Sequence, residues 1–141
     1  MMDVMVVYHS KTGHSRKLAT HVAGALGTRA VDIRDWPGAS QQTLVFLVSG
    51  VYGGKTVPEV LAFARGLQGS PIKVALMTSS ASGREEQKGL REALRAAGIR
   101  LAEERFTCPG GFLLFRLGRP NQADCEAAAA FATRLSLGQS T

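Results

Sequence analysis

Three short, almost uninterrupted apolar runs constrain this chain more than any other feature: DVMVVYH at 3–9, TLVFLVS at 43–49 and IKVALMTS at 72–79. Strands without apolar–polar alternation need cover on both faces, the situation of a parallel sheet interior. Other segments repeat their apolar residues once per helical turn: Leu18, Val22, Ala25 and Leu26 in SRKLATHVAGALG, Val57, Leu61 and Ala64 in VPEVLAFARGL, and Leu90, Leu94 and Ala97 in GREEQKGLREALRAAG. Gly27 and Gly98 supply helix stops, Pro58 suits a first turn, and Ser82 with Glu85 has capping-box spacing. Two weaker strands, TRAVDIR at 28–34 and the more polar IRLAEERFT at 99–107, bring the expected number to five. Asn121 is placed to cap a last helix, QADCEAAAAFATRL, and the tail SLGQST is expected to fray.

This alternation predicts an α/β protein, a doubly wound five-stranded parallel sheet with helices on both faces. The stretch DWPGASQQ at 35–42 is too short and too broken for a crossover helix, so the second crossover helix is expected to be reduced or missing. With 141 residues and no linker, repeat or low-complexity block, residues 1–141 read as a single domain. The start MMDVMVVYHSKTG has an acid where a secretory signal has basic residues, and no apolar run reaches the roughly 20 residues of a membrane span. The expectation is a cytoplasmic protein with no membrane association. The net charge is +6, but its lysines and arginines are scattered, which argues against nucleic acid and fits an acidic partner or an anionic ligand. Cys125 falls in an alanine-rich helix, where a buried apolar role is expected, and Cys108 is expected in a loop.

In a doubly wound sheet the ligand binds beyond the carboxyl ends of the strands, at the switch point of the topology. For a strand order 2-1-3-4-5 that point lies between strands one and three. The loop after strand one comprises Ser10, Lys11, Thr12, Gly13, His14 and Ser15. Gly13 permits a tight turn, the hydroxyls are donors, and a helix beginning near His14 aims free N–H groups at the same spot. The pattern suits a phosphate group, and a strand-to-helix turn with ordinary caps would use the same residue types. The loop after strand three is Ser49, Gly50, Val51, Tyr52, Gly53 and Gly54. The loop after strand four, Ser79, Ser80, Ala81, Ser82 and Gly83, would form a third wall.

At these loops the sequence resembles the flavodoxin family, whose phosphate loop reads Ser/Thr-x-Thr-Gly-x-Ser/Thr; SKTGHS at 10–15 matches every defined position. The resemblance extends over nearly the whole chain as an order of elements. It implies a flavodoxin-like fold and FMN as cofactor, with the first loop around the 5′-phosphate. It also implies Tyr52 stacked on the isoalloxazine ring, and Gly53 as a peptide free to turn over when the flavin is reduced. The chain departs from the family in three respects. SSASGREE lacks the second aromatic that commonly completes the flavin sandwich, so one face is open or is covered by Phe112 or Phe115. The second helix is nearly absent, and the chain is basic where flavodoxins are usually acidic.

The implied function is electron transfer between a reductase and an acceptor, with redox protein partners that dock through an acidic surface. An activator of manganese-type ribonucleotide reductase, a small FMN-dependent quinone reductase and a binding module that has lost FMN remain as alternatives. The ending Gly54-Lys55-Thr56 also approaches the P-loop pattern, but position 49 is serine where that pattern needs glycine, and Pro58 falls where helix N–H donors belong. Neither oligomeric state nor the identity of a partner is legible from these residues.

Overall fold

The computed structural model describes residues 3–11, 13–39, 41–52, 55–80, 87–109 and 121–139, with Tyr52, Pro109 and Gln139 described by backbone alone. Strands β1 (Asp3–His9), β2 (Ala30–Asp32), β3 (Thr43–Tyr52), β4 (Lys55–Thr56), β5 (Ile72–Ser80), β6 (Arg100–Leu101) and β7 (Phe106–Pro109) form one sheet. Helices α1 (His14–Ala25), α2 (Pro58–Arg65), α3 (Lys88–Ala96) and α4 (Gln122–Gln139) pack against it. The sheet order is β2-β1-β3-β5-β6, with β4 on β3 and β7 on β5. All pairings are parallel except β3 with β4. The expected doubly wound order is present, but the described strands number seven rather than five.

Successive strand residues point to opposite faces, and each face has its own core. Val6, Phe46, Val48 and Met77 meet Leu18 and Val22 of α1 and Ala128 and Phe131 of α4. Val7, Val45, Leu47 and Leu76 meet Val60 and Ala64 of α2 and Leu90 and Leu94 of α3. This division explains the unbroken apolar runs, since both faces of β1, β3 and β5 are covered. Cys125 and Cys108 are both buried on the first of these faces. Burial pushes the Cys125 thiol up. Cys108 belongs to β7, not to a loop as expected from the Pro-Gly-Gly that follows it.

Where the second crossover helix is missing, a single 3-10 turn spans Ile33–Asp35. Asp32 caps it by accepting from Arg34 N at 2.9 Å. The Arg34 guanidinium binds both Asp32 oxygens and holds that carboxyl below its ordinary range. Trp36 then meets Phe63 of α2 edge-on, with ring centroids 5.7 Å apart, and so covers part of the face that a longer helix would have shielded.

The expected fifth strand is two strands. Val74 pairs with Leu101 and Met77 with Phe106, so residues 75–76 of β5 stand against residues 102–105. This bulge carries the polar run Glu103-Glu104-Arg105 out of the ladder, and a charged, interrupted edge resists pairing with another chain. At the far end α4 continues to Gln139, so the tail expected to fray is helical over 136–139. Its start is a reciprocal cap: Asp124 N donates to Asn121 Oδ1 and Asn121 N donates to Asp124 Oδ2, both at 2.9 Å. Asn121→Ala removes one half of this cap and should cost about 1 kcal/mol of stability in urea denaturation; an unchanged midpoint would contradict the assignment.

Candidate functional site

The site is assembled where β1 and β3 end side by side. Their register is unbroken from Asp3 opposite Thr43 to His9 opposite Ser49. Residue 10 and residue 50 therefore leave the ladder at the same height. β1 turns into α1, whereas β3 runs on against β5 through Gly50 opposite Ser79 and Val51 opposite Ser80. It then folds back as an antiparallel hairpin, with Val51 opposite Thr56 and Tyr52 opposite Lys55. The expected loop 49–54 is thus strand as far as Tyr52, because pairing with β5 and β4 supplies backbone partners there.

The first loop is a tight strand-to-helix turn at the N-terminus of α1. Gly13, at the N-cap of α1, has φ 90°, a left-handed conformation that costs any residue with a Cβ. Its N–H donates to Ser10 Oγ at 2.9 Å, which tightens the turn and leaves the Ser10 hydroxyl proton to point elsewhere. Among the described residues, a Cβ placed at Gly13 would meet nothing within 4 Å. The first turn of α1 contains no acidic residue, and His14, Arg16 and Lys17 lie in it. Cationic groups at a helix N-terminus oppose its dipole, and an anion at the same end offsets that cost. Ser15 is buried at 2% exposure, and Arg16 and Lys17 are exposed.

A layer of polar groups underlies the loops. His9, Ser49 and Thr78 occupy one rung across β1, β3 and β5. His9 Nε2 lies 3.3 Å from Glu59 Oε2, in the first turn of α2. Ser49 and Thr78 are fully buried, and both bond to the side chain of Gln87. The Ser49 hydroxyl is therefore committed inward. Ser79 and Ser80 are likewise buried within β5 and do not begin a loop.

Lys55 and Thr56 are strand residues, Val57 caps α2 and Pro58 occupies its first turn. A P-loop requires its Lys-Thr pair to open a helix around phosphate. Here Thr56 is buried and donates to Gln87 Oε1 at 3.2 Å, and Lys55 is exposed on the hairpin. The Lys-Thr ending belongs to the hairpin.

Thr12, Gly53, Gly54, Ala81, Ser82 and Gly83 lie outside the described residues, as do the Tyr52 side chain, the Ser82–Glu85 capping box, Phe112 and Phe115. α3 begins at Lys88, after Gln87 with its non-helical φ −108° and ψ 37°; residues 83–86 of the expected helix lie outside the described residues. Gln87 and Thr56 were not among the expected site residues. The Thr-Ser-Ser end on an otherwise apolar strand signalled buried hydroxyls in need of a partner, but not which residue supplies it.

A parallel sheet in the order β2-β1-β3-β5-β6, with a strand-to-helix turn beside a hairpin at its switch point, is of the doubly wound α/β class. Residues 5–116 match the model of the flavodoxin domain, and the chain belongs to that family. Flavodoxin-family proteins bind flavin, typically FMN. Similar solved structures include a flavodoxin from the domain Archaea, at 14% identity and TM-score 0.67, covering 99% of this chain and 100% of that one. Oxidised flavodoxin 1 from Bacillus cereus aligns at 19% identity and TM-score 0.66, over 93% of this chain and 95% of its own. Rubredoxin oxygen:oxidoreductase from the anaerobe Desulfovibrio gigas aligns over 93% of this chain but 34% of its own, at 17% identity and TM-score 0.63. Among curated protein sequences there is no significant match. At these identities the structural likeness establishes the fold.

The described residues fit the phosphate end of FMN: an open left-handed glycine, a helix N-terminus without acids, and nearby hydroxyls and cations. Gly13→Ala meets no steric obstacle among the described residues, so its expected cost is conformational. It should lower stability by roughly 1–2 kcal/mol in denaturant titration, with Gly13→Asn recovering part of the loss. Equal stability of Gly13→Ala and the parent protein would contradict the positive φ.

Proposed function

We propose that this protein binds FMN non-covalently and carries electrons, one or two at a time, between a reductase and an acceptor protein. The observation that carries the reading is the side-by-side exit of the Ser10–Gly13 turn and the Tyr52–Lys55 hairpin from adjacent strands. Bound FMN supplies the redox chemistry; the protein supplies grip and tuning. In this reading Ser10, Gly13, His14 and Ser15 grip the phosphate through hydroxyl and backbone N–H groups, and Thr12 adds its hydroxyl. Tyr52 stacks on the flavin ring, and Gly53 provides the peptide that turns over on reduction.

Lys55 is the tuning charge. It is exposed and is the cross-strand partner of Tyr52. Glu59 is the first acid after it and lies against His9. A cation at this place favours added negative charge on the flavin, so the second one-electron step should be less negative than in acidic flavodoxins. Lys55→Glu should make that step more negative, on the order of tens of millivolts, in a spectroelectrochemical titration; movement in the other direction, or none, would contradict the role.

A carrier has no substrate of its own to turn over. The purified protein should be yellow, bleach with dithionite and accept electrons from a separate reductase. Steady oxidation of NAD(P)H with a quinone, by this protein alone, would instead assign it to the quinone reductases. The net charge of +6 supports partners with acidic docking surfaces. The rate of reduction by such a partner should fall as salt rises from 0.01 to 0.15 M, about the range over which the Debye length shrinks from 30 to 8 Å. A salt-independent rate would remove charge from the account of partner choice.

A further inference from the structure

Gln87 is completely buried, although glutamine is a residue type that mostly stays in water. It stands at the N-cap position of α3, yet its side chain makes no capping bond there. The side chain enters the sheet instead. Its Oε1 accepts from Ser49 Oγ at 3.1 Å and from Thr56 Oγ1 at 3.2 Å, and its Nε2 donates to Thr78 Oγ1 at 2.8 Å. One amide thus joins β3, β4, β5 and the start of α3.

Each of its partners sits at the root of a loop. Ser49 and Thr78 face each other in the β3–β5 ladder, and Ser49 is also the last β3 residue paired to β1. Thr56 ends the hairpin that returns from Tyr52. Gln87 itself follows directly on the segment 81–86 that leads from β5 into α3. The outer arm of the hairpin is the two-residue strand β4, and so short a strand is weakly restrained by its pairing alone.

We infer that Gln87 is a positioning residue: its amide fixes the Tyr52–Lys55 hairpin relative to the end of β5, and so sets the spacing of the two loops that would flank a flavin ring. The ligand part of this inference rests on the proposed FMN site; the hairpin part does not. The side chain uses an acceptor and a donor on one planar group to bond three hydroxyls. Leucine, of similar volume, offers neither and strands buried hydroxyls in the same pocket. The anion turn at 10–13 stands on β1 and α1, outside this network, so it should not respond.

The test combines two readouts on Gln87→Leu, with Thr56→Val as a second variant that removes only the hairpin hydroxyl. Hydrogen exchange in the flavin-free protein should accelerate about tenfold or more over residues 50–52 and 55–56, and remain unchanged in α1. FMN should bind about tenfold more weakly to Gln87→Leu, and inorganic phosphate as well as before. Thr56→Val should show the same pattern with smaller changes, and it decides the matter if Gln87→Leu does not fold. Exchange at the parent rate in the hairpin, or acceleration spread evenly through the chain, would overturn the inference. Should the parent protein bind no FMN, the proposed function fails, and the exchange readout alone then confirms or overturns the role of Gln87 in fixing the hairpin.

Discussion

The rung formed by His9, Ser49 and Thr78 is the constraint on which the rest of the site depends. Below it, Val7, Leu47 and Leu76 on the same face are core residues sealed by α2 and α3. At the rung the side chains become polar, and each described contact runs to an element that begins at the site: His9 to Glu59 of α2, Ser49 and Thr78 to Gln87 ahead of α3. The strands thus pass from apolar core to a buried polar rung in one residue step, and β3 and β5 continue beyond it. Parallel register carries that boundary across three strands at one height, where β1 ends and β3 and β5 run on as a pair. The hydroxyls of Ser49, Thr56 and Thr78 are bonded through Gln87, and a bonded polar cluster of this kind specifies one arrangement more strictly than apolar packing does.

Electrostatics point the same way as geometry. The N-terminus of α1 is unfavourable for its own first turn, where cations replace the usual acids. That local conflict is the kind that persists at functional sites, where a ligand supplies what the sequence leaves out. The hairpin adds a further cation, Lys55, opposite Tyr52. Flavin phosphate, the fully reduced flavin and an acidic partner would all be anionic, and one basic chain can meet all three.

Much of this was legible in the sequence. The runs DVMVVYH, TLVFLVS and IKVALMTS give three strands buried on both faces, and SKTGHS gives a tight turn on Gly13, because burial and φ > 0 leave direct marks on residue choice. Asn121 and the missing second crossover helix were legible for the same local reason. Other features depend on contacts between distant residues. The extension of β3 to Tyr52 arises from pairing with Ser79, Ser80 and Lys55, which glycine-rich composition conceals. The edge bulge at 102–105 reads as continuous strand, because a two-residue excess leaves periodicity almost intact. Gln87 was hidden most deeply: in a helix-period segment its polarity suggests a solvent face, and only the fold reveals that it lies between two strand ends. Family membership follows from residues 5–116 as a whole.

The central claim is that the turn at Ser10–Gly13 and the hairpin at Tyr52–Lys55 together hold FMN, with the phosphate contributing strongly. The most direct measurement is the fluorescence-quenching affinity of the flavin-free protein for FMN and for riboflavin, which differs only in lacking that phosphate. The account predicts one-to-one FMN binding at least about a hundredfold tighter than riboflavin, since two or more charge-assisted hydrogen bonds at roughly 1.5–3 kcal/mol each are lost with the phosphate. Equal affinities for the two, or no binding of FMN, would contradict it.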